Sequence, residues 1–177
     1  MGCSRMIDPD AKVLVVGGTG MLAEATRWLA GRVDHLTLVA RSPEALAAEV
    51  GAHSLPMHLQ ATCAAAHLPA GPCDLALVWL HDDMVGLARP IADLLTVGGR
   101  LVRIHGALSA DPAVEARRDP DPRSDIRQQI GILGWHPDPT AEDGKRWLSD
   151  AEISGGAITL LKDESLGRLV IGTRAGP

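Results

Sequence analysis

Several side chains able to move protons stand where apolar runs stop. His81 follows the run 74–80, with Asp82 and Asp83 behind it; His105 closes 100–106, Ser109 lies just beyond, and His136 follows Trp135 at the end of 125–135. Imidazole exchanges a proton near neutrality and a nearby hydroxyl orients an oxygen, so His81, His105 and Ser109 are the candidate catalytic groups. The plainer reading gives His81 a helix-capping or ring-contacting role and makes His105 a satisfied core residue. Asp82 and Asp83 suit the N-terminus of the helix expected after them. These four residues have metal-ligand chemistry, but spacing across separate segments defines no site, and no metal is expected. No serine elbow or phosphate-loop lysine motif occurs.

The second stretch with chemical potential is KVLVVGGTGMLA, residues 12–23. Gly18–Ala23 fits G-x-G-x-x-G/A, and Gly17 precedes it. One glycine lets the chain leave a strand with a backbone angle that a Cβ forbids, and another lets the backbone approach a diphosphate. A small third residue packs helix on strand. Free amides at the helix start then meet phosphate oxygens. Gly17, Gly18, Thr19, Gly20, Met21 and Leu22 are therefore the expected dinucleotide turn. The alternative is a glycine turn kept for geometry alone.

The end of the next run selects the cofactor. An acid there would bind ribose hydroxyls and repel a 2′-phosphate. Here Arg41 and Ser42 follow HLTLVA, and Asp34 comes too early. A guanidinium beside a hydroxyl suits phosphate, which favours NADP over NAD. Arg41 as an ordinary solvated side chain is the simpler alternative. Leu80 and His81, ending the fourth run, complete the expected cofactor-binding set.

Elements that alternate must hold these groups. KVLVV (12–16) and HLTLVA (35–40) are continuous β-branched runs, as in a parallel sheet buried on both faces. A helix over about 21–31 separates them, and a second runs from Ser42 as N-cap, with Pro43 at its first position, to Gly51. HSLPMHL (53–59) reads as an edge strand because of Pro56. A short alanine helix at 61–68, a strand at 74–80, a helix near 83–97 and a strand at 100–106 follow. Residues 107–124, broken by prolines, read as surface loop with at most a short helix at AVEAR. A strand at 125–135, a Ser149/Glu152 capping box, a helix over ISGGAITLLKDE and a closing strand at 168–173 complete the chain. Right-handed crossovers then predict a three-layer, doubly wound, Rossmann-like α/β fold with strand order 3-2-1-4-5-6-7. The expectation is one nucleotide-binding domain over 1–177, with residues 1–10 a flexible N-terminus.

Composition narrows the function class. The 177 residues carry a net charge of −5, which argues against a nucleic-acid partner. Charged residues at 22% and apolar residues at 46% are globular values that disfavour disorder. No run is long enough for a membrane span. The three cysteines, Cys3, Cys63 and Cys73, lack metal spacing. Cys63 and Cys73 are read as buried or half-buried thiols of a reducing cytosol, so the protein is expected in the cytoplasm. Arginine and alanine bias fits a GC-rich bacterial genome. A chain this short has little material for a substrate domain, so a homodimer is expected.

The glycine turn GGTGML resembles that of the atypical short-chain dehydrogenase/reductases. Trp79-Leu80-His81 and RWLSDAEIS (146–154) are similar to segments of small bacterial proteins of that type. The resemblance to those small proteins implies no established reaction, and the first expectation, with NADP read from Arg41 and Ser42, is an NADP-dependent oxidoreductase on a small carbonyl, imine or enone. The resemblance to the dehydrogenase/reductases implies a Tyr-x-x-x-Lys pair for proton transfer, yet the chain has no tyrosine. His81 or His105 would then assist the proton. Two other functions stay open: a non-catalytic protein that senses NADP, and a non-redox cyclase or isomerase on the same scaffold. Trp147 and Arg146 could wall the nicotinamide, although Trp147 packed on the last helix is the preferred reading.

Overall fold

The computed structural model describes residues 7–57, 68–69, 71–79, 87–106, 123–142 and 144–173. Its centre is a seven-stranded parallel sheet. The strands are β1 (Lys12–Val16), β2 (His35–Ala40), β3 (His53–Pro56), β4 (Cys73–Trp79), β5 (Leu95–His105), β6 (Arg127–Leu133) and, at the far edge, β9 (Arg168–Ile171). Their order is β3-β2-β1-β4-β5-β6-β9, as the crossover argument predicts. β3 is an edge strand, and its Pro56 pairs with Ala40.

Strand β1 shows why both faces must be covered. Val13 and Val15 enter one core cluster, whereas Leu14 and Val16 enter the other. Helices α1 (Ala23–Ala30), α2 (Glu44–Val50) and α4 (Asp150–Lys162) cover the first face, and α3 (Ala88–Asp93) covers the second. Three layers result.

Several element ends differ from expectation. Helix α1 begins at Ala23, because Met21 and Leu22 belong to the turn. In α2 the N-cap position falls on Pro43, and the Ser42 side chain plays no capping part; Gly51 closes the helix in the left-handed region, as read. The helix expected to reach residue 97 stops at Asp93, and β5 starts at Leu95. Its first residue pairs with Cys73, and the register shifts before Leu75 meets Arg100. Thr96 Oγ1 donates to Asp74 Oδ1 at 3.1 Å, so the β-branched Thr96-Val97 pair joins the sheet. Strand β6 ends at Leu133, and Trp135 begins an unforeseen hairpin of β7 (Trp135–Pro137) and β8 (Lys145–Trp147). Residues 61–67, 83–86 and 107–122, with AVEAR among them, lie outside the described residues, as do Cys3 and Cys63. Cys73 is buried, and burial pushes its thiol up to about 11.

Helix α4 is tied down at both ends. Its N-terminus carries the capping box read from the sequence: Ser149 Oγ accepts from the Glu152 amide at 3.3 Å, and Glu152 accepts from the Ser149 amide at 2.8 Å. At its C-terminus the buried Arg100 donates to the Leu160 carbonyl at 2.6 Å and to Gln129 Oε1 at 2.5 Å. Gln129 Nε2 lies 2.8 Å from the Asp163 carbonyl and 2.7 Å from that of Leu166. Two strand side chains thus satisfy carbonyls that a helix end leaves open.

One connection breaks the handedness rule. The β1–α1–β2 unit moves outward in one direction with its helix on the first face, and β6–α4–β9 moves the opposite way with its helix on that same face. The two crossovers are therefore of opposite hand. With β1–α1–β2 right-handed, the last crossover is left-handed, a rare arrangement in parallel sheets.

Candidate functional site

The site is built where β1 stops. Gly17 has φ of +76° and donates its amide to the Val39 carbonyl at 2.8 Å, so the chain bends while still tied to β2. A Cβ at Gly17 would lie 2.5 Å from the Trp79 carbonyl. Gly18 has no positive φ, but its Cβ would lie 2.4 Å from Val15 Cγ1 and 2.6 Å from Thr26 Oγ1. That hydroxyl stands 3.0 Å from the carbonyls of both Gly18 and Leu22, fastening turn to helix.

Gly20 differs from both. Its φ is not positive, and a Cβ there meets nothing within 4 Å. The residue is exposed, as is Thr19. The amides of Thr19, Gly20 and Met21 donate to no group among the described residues. Three amides with no acceptor among the described residues and a bare Cα therefore stand at the start of α1, where the helix dipole is positive. Packing explains two glycines of the turn and not the third.

Arg41 and Ser42 follow β2 directly, and both are exposed. Arg41 makes no hydrogen bond or ion pair among the described residues. On the other side of β1, the end of β4 is formed by Trp79. Its Cδ1 would lie 3.4 Å from a Cβ on Gly17 and its Cη2 3.9 Å from one on Gly106, so the indole spans the carboxyl ends of β1, β4 and β5. His105 ends β5 with Nε2 buried. It shares a sheet face with Leu101 and Arg103, opposite the face of Trp79. Burial pulls the Arg103 guanidinium down to about 10. Leu80, His81 and Ser109 lie outside the described residues, as do Asp82 and Asp83. Among the described residues, no three His, Cys, Asp or Glu side chains converge to hold a metal.

The hairpin and α4 complete this edge of the sheet. Arg146 of β8 grips Glu152 with two bonds, at 2.9 and 3.0 Å, and His136 Nε2 of β7 lies 3.1 Å from the same carboxylate. The Arg146 bonds, with the Ser149 amide second, hold the Glu152 carboxyl well below the usual carboxylate range. Trp147, expected to pack on the last helix, is instead 74% exposed. A strand of three residues alternates its sides, so Trp147 takes the side away from Arg146 and from the helix that Arg146 grips. Lys145 Nζ stands 4.4 Å from the Trp135 ring.

One contributor escaped the sequence reading. Ser154 is 1% exposed, and its Oγ donates to the Met21 carbonyl at 2.7 Å and accepts from the Ala25 amide at 3.3 Å. A lone serine on the apolar side of ISGGAITLL is the signal that could have marked it.

No family model and no curated protein matches the sequence. Solved structures do share its fold. One is BdcA in complex with NADPH, 16% identical, covering 95% of this chain and 96% of that one with a TM-score of 0.62. Another is a short chain dehydrogenase from Burkholderia cenocepacia J2315 in complex with NADP, 15% identical, covering 96% and 99% with a TM-score of 0.63. A third is a putative betaketoacyl-ACP reductase, 17% identical, covering 94% and 98% with a TM-score of 0.66. At these identities the likeness establishes the fold, the doubly wound parallel sheet of the short-chain dehydrogenase structures.

Proposed function

We propose that the chain binds NADP(H) with the diphosphate on the amides of residues 19–21 and the 2′-phosphate on Arg41 and Ser42. The observation that carries this reading is Gly20, a glycine that neither backbone angle nor packing among the described residues requires, beside three amides with no acceptor among the described residues. A diphosphate approaching the bare Cα supplies the missing reason. Two solved neighbours of the same fold hold NADPH or NADP, which supports the choice of ligand. Calorimetry with NADPH and NADH in turn tests it: NADPH should bind the more tightly, and heat from neither removes the proposal.

The activity we infer is oxidoreduction of a small carbonyl, imine or enone. Bound NADPH supplies a hydride, and the protein's task is to place the acceptor and furnish a proton. With tyrosine absent from the chain, a histidine, His81 or His105, serves as general acid, and Ser109 orients the substrate oxygen. His105→Ala should leave NADPH binding in place, and one of His81→Ala and His105→Ala should abolish substrate-dependent oxidation of NADPH. A protein that binds the nucleotide as a signal without turnover is the second reading, favoured by that same lack of tyrosine. Turnover with any carbonyl, imine or enone decides between them. We place the protein in the cytoplasm as a homodimer.

A further inference from the structure

Helix α1 starts without a cap of its own. Its N-cap residue is Leu22, whose side chain is buried and makes no capping bond. Helix starts ordinarily satisfy the third-position amide with a local Ser, Thr, Asp or Asn oxygen. Here the third-position amide is that of Ala25, and the oxygen that accepts from it is Ser154 Oγ, 129 residues away in the chain. The same hydroxyl donates its proton to the Met21 carbonyl at 2.7 Å. One buried side chain of α4 therefore grips both sides of the junction between turn and helix.

We propose that Ser154 is a positioning residue for the nucleotide turn, capping α1 from behind so that its front stays open to phosphate. The role rests on the nucleotide reading above. A local cap would bring its oxygen to the start of α1, on the side where residues 19–21 present their amides. A cap delivered from α4 satisfies the Ala25 amide without entering that space. By holding the Met21 carbonyl, it also fixes the peptide plane that joins Met21 to the buried Leu22. Ser154 in turn is held by α4, whose ends are fixed by the Ser149/Glu152 box and by Arg100 and Gln129.

Three proteins test this: wild type, Ser154→Ala, and Ala157→Gly as a control that weakens the same buried helix face without touching the hydroxyl. Ser154→Ala should speed hydrogen exchange at the Ala25 amide and weaken NADPH binding roughly five- to tenfold, the scale of one lost cap. Ala157→Gly should lower the melting temperature by a similar amount and leave the NADPH dissociation constant unchanged. Ser154→Thr, which keeps a hydroxyl, should recover part of the affinity. Equal NADPH binding by Ser154→Ala and wild type overturns the role, and so does an equal loss in Ala157→Gly. A wild type that binds neither dinucleotide ends the nucleotide reading itself and this role with it, an outcome distinct from both.

Discussion

The three glycines of the turn have different jobs, and single substitutions should separate them. Gly18→Ala forces a methyl to within 2.6 Å of Thr26 Oγ1 and closer still to Val15, so it should cost about 1–3 kcal/mol of stability by overpacking. Gly20→Ala meets no atom and should change stability by less than about 0.5 kcal/mol. Its methyl stands where the diphosphate would approach, so NADPH affinity should fall roughly tenfold or more. Thermal melts paired with calorimetry read both effects. Arg41→Ala should weaken NADPH by roughly ten- to a hundredfold, the worth of a charged hydrogen bond, while leaving NADH unchanged. Equal loss for both dinucleotides would remove the 2′-phosphate assignment. Glu152 gives a pH prediction. Its folded carboxyl lies below the ordinary 4.5, so its contribution is present above that value and lost as pH falls through it and below. Acid melts of Glu152→Gln should therefore fall less steeply below about pH 4.5 than those of wild type.

Elements with a single strong signal were legible in the sequence. β1, β2 and β4 show as continuous apolar runs, Gly51 marks the end of α2, and the Ser149/Glu152 box marks α4. Boundaries set by tertiary pairing were not. ADLLTV reads as helix by local propensity, yet Leu95 and Thr96 join the sheet because Cys73 pairs with Leu95 and Asp74 accepts from Thr96, with the Cys73 amide donating to the Leu94 carbonyl at 2.8 Å. β7 and β8 have three residues each, too few for any period to show. The segment RWLSDAEIS stood out in the sequence without a reason. Arg146 clamps Glu152, Ser149 caps α4, Leu148 is buried and Ser154 reaches the turn, so most of its polar pattern is the docking of one helix. The glycine turn was legible as a motif. Which glycine answers to packing and which to open space is set by the tertiary positions of Thr26, Val15 and Trp79.

Strand order followed from the crossover rule for six strands, and β9 took the expected edge by the opposite hand. A right-handed return would have put α4 on the α3 face, away from α1. The unusual hand brings Ser154 to the turn, so chirality at one edge of the sheet serves the opposite half. A homodimer should sediment as such at micromolar concentration; a strictly monomeric boundary would refute it. The bond from Ser154 to Met21 spans 133 residues, which also orders events during synthesis. A ribosome that has released β1 to β5 has made every residue of the turn and none of its brace. Nascent chains stalled before residue 150 should therefore pair their strands yet fail to retain NADPH, and chains released whole should gain retention as α4 docks. The earliest-made part of the site is completed by one of the last helices to emerge.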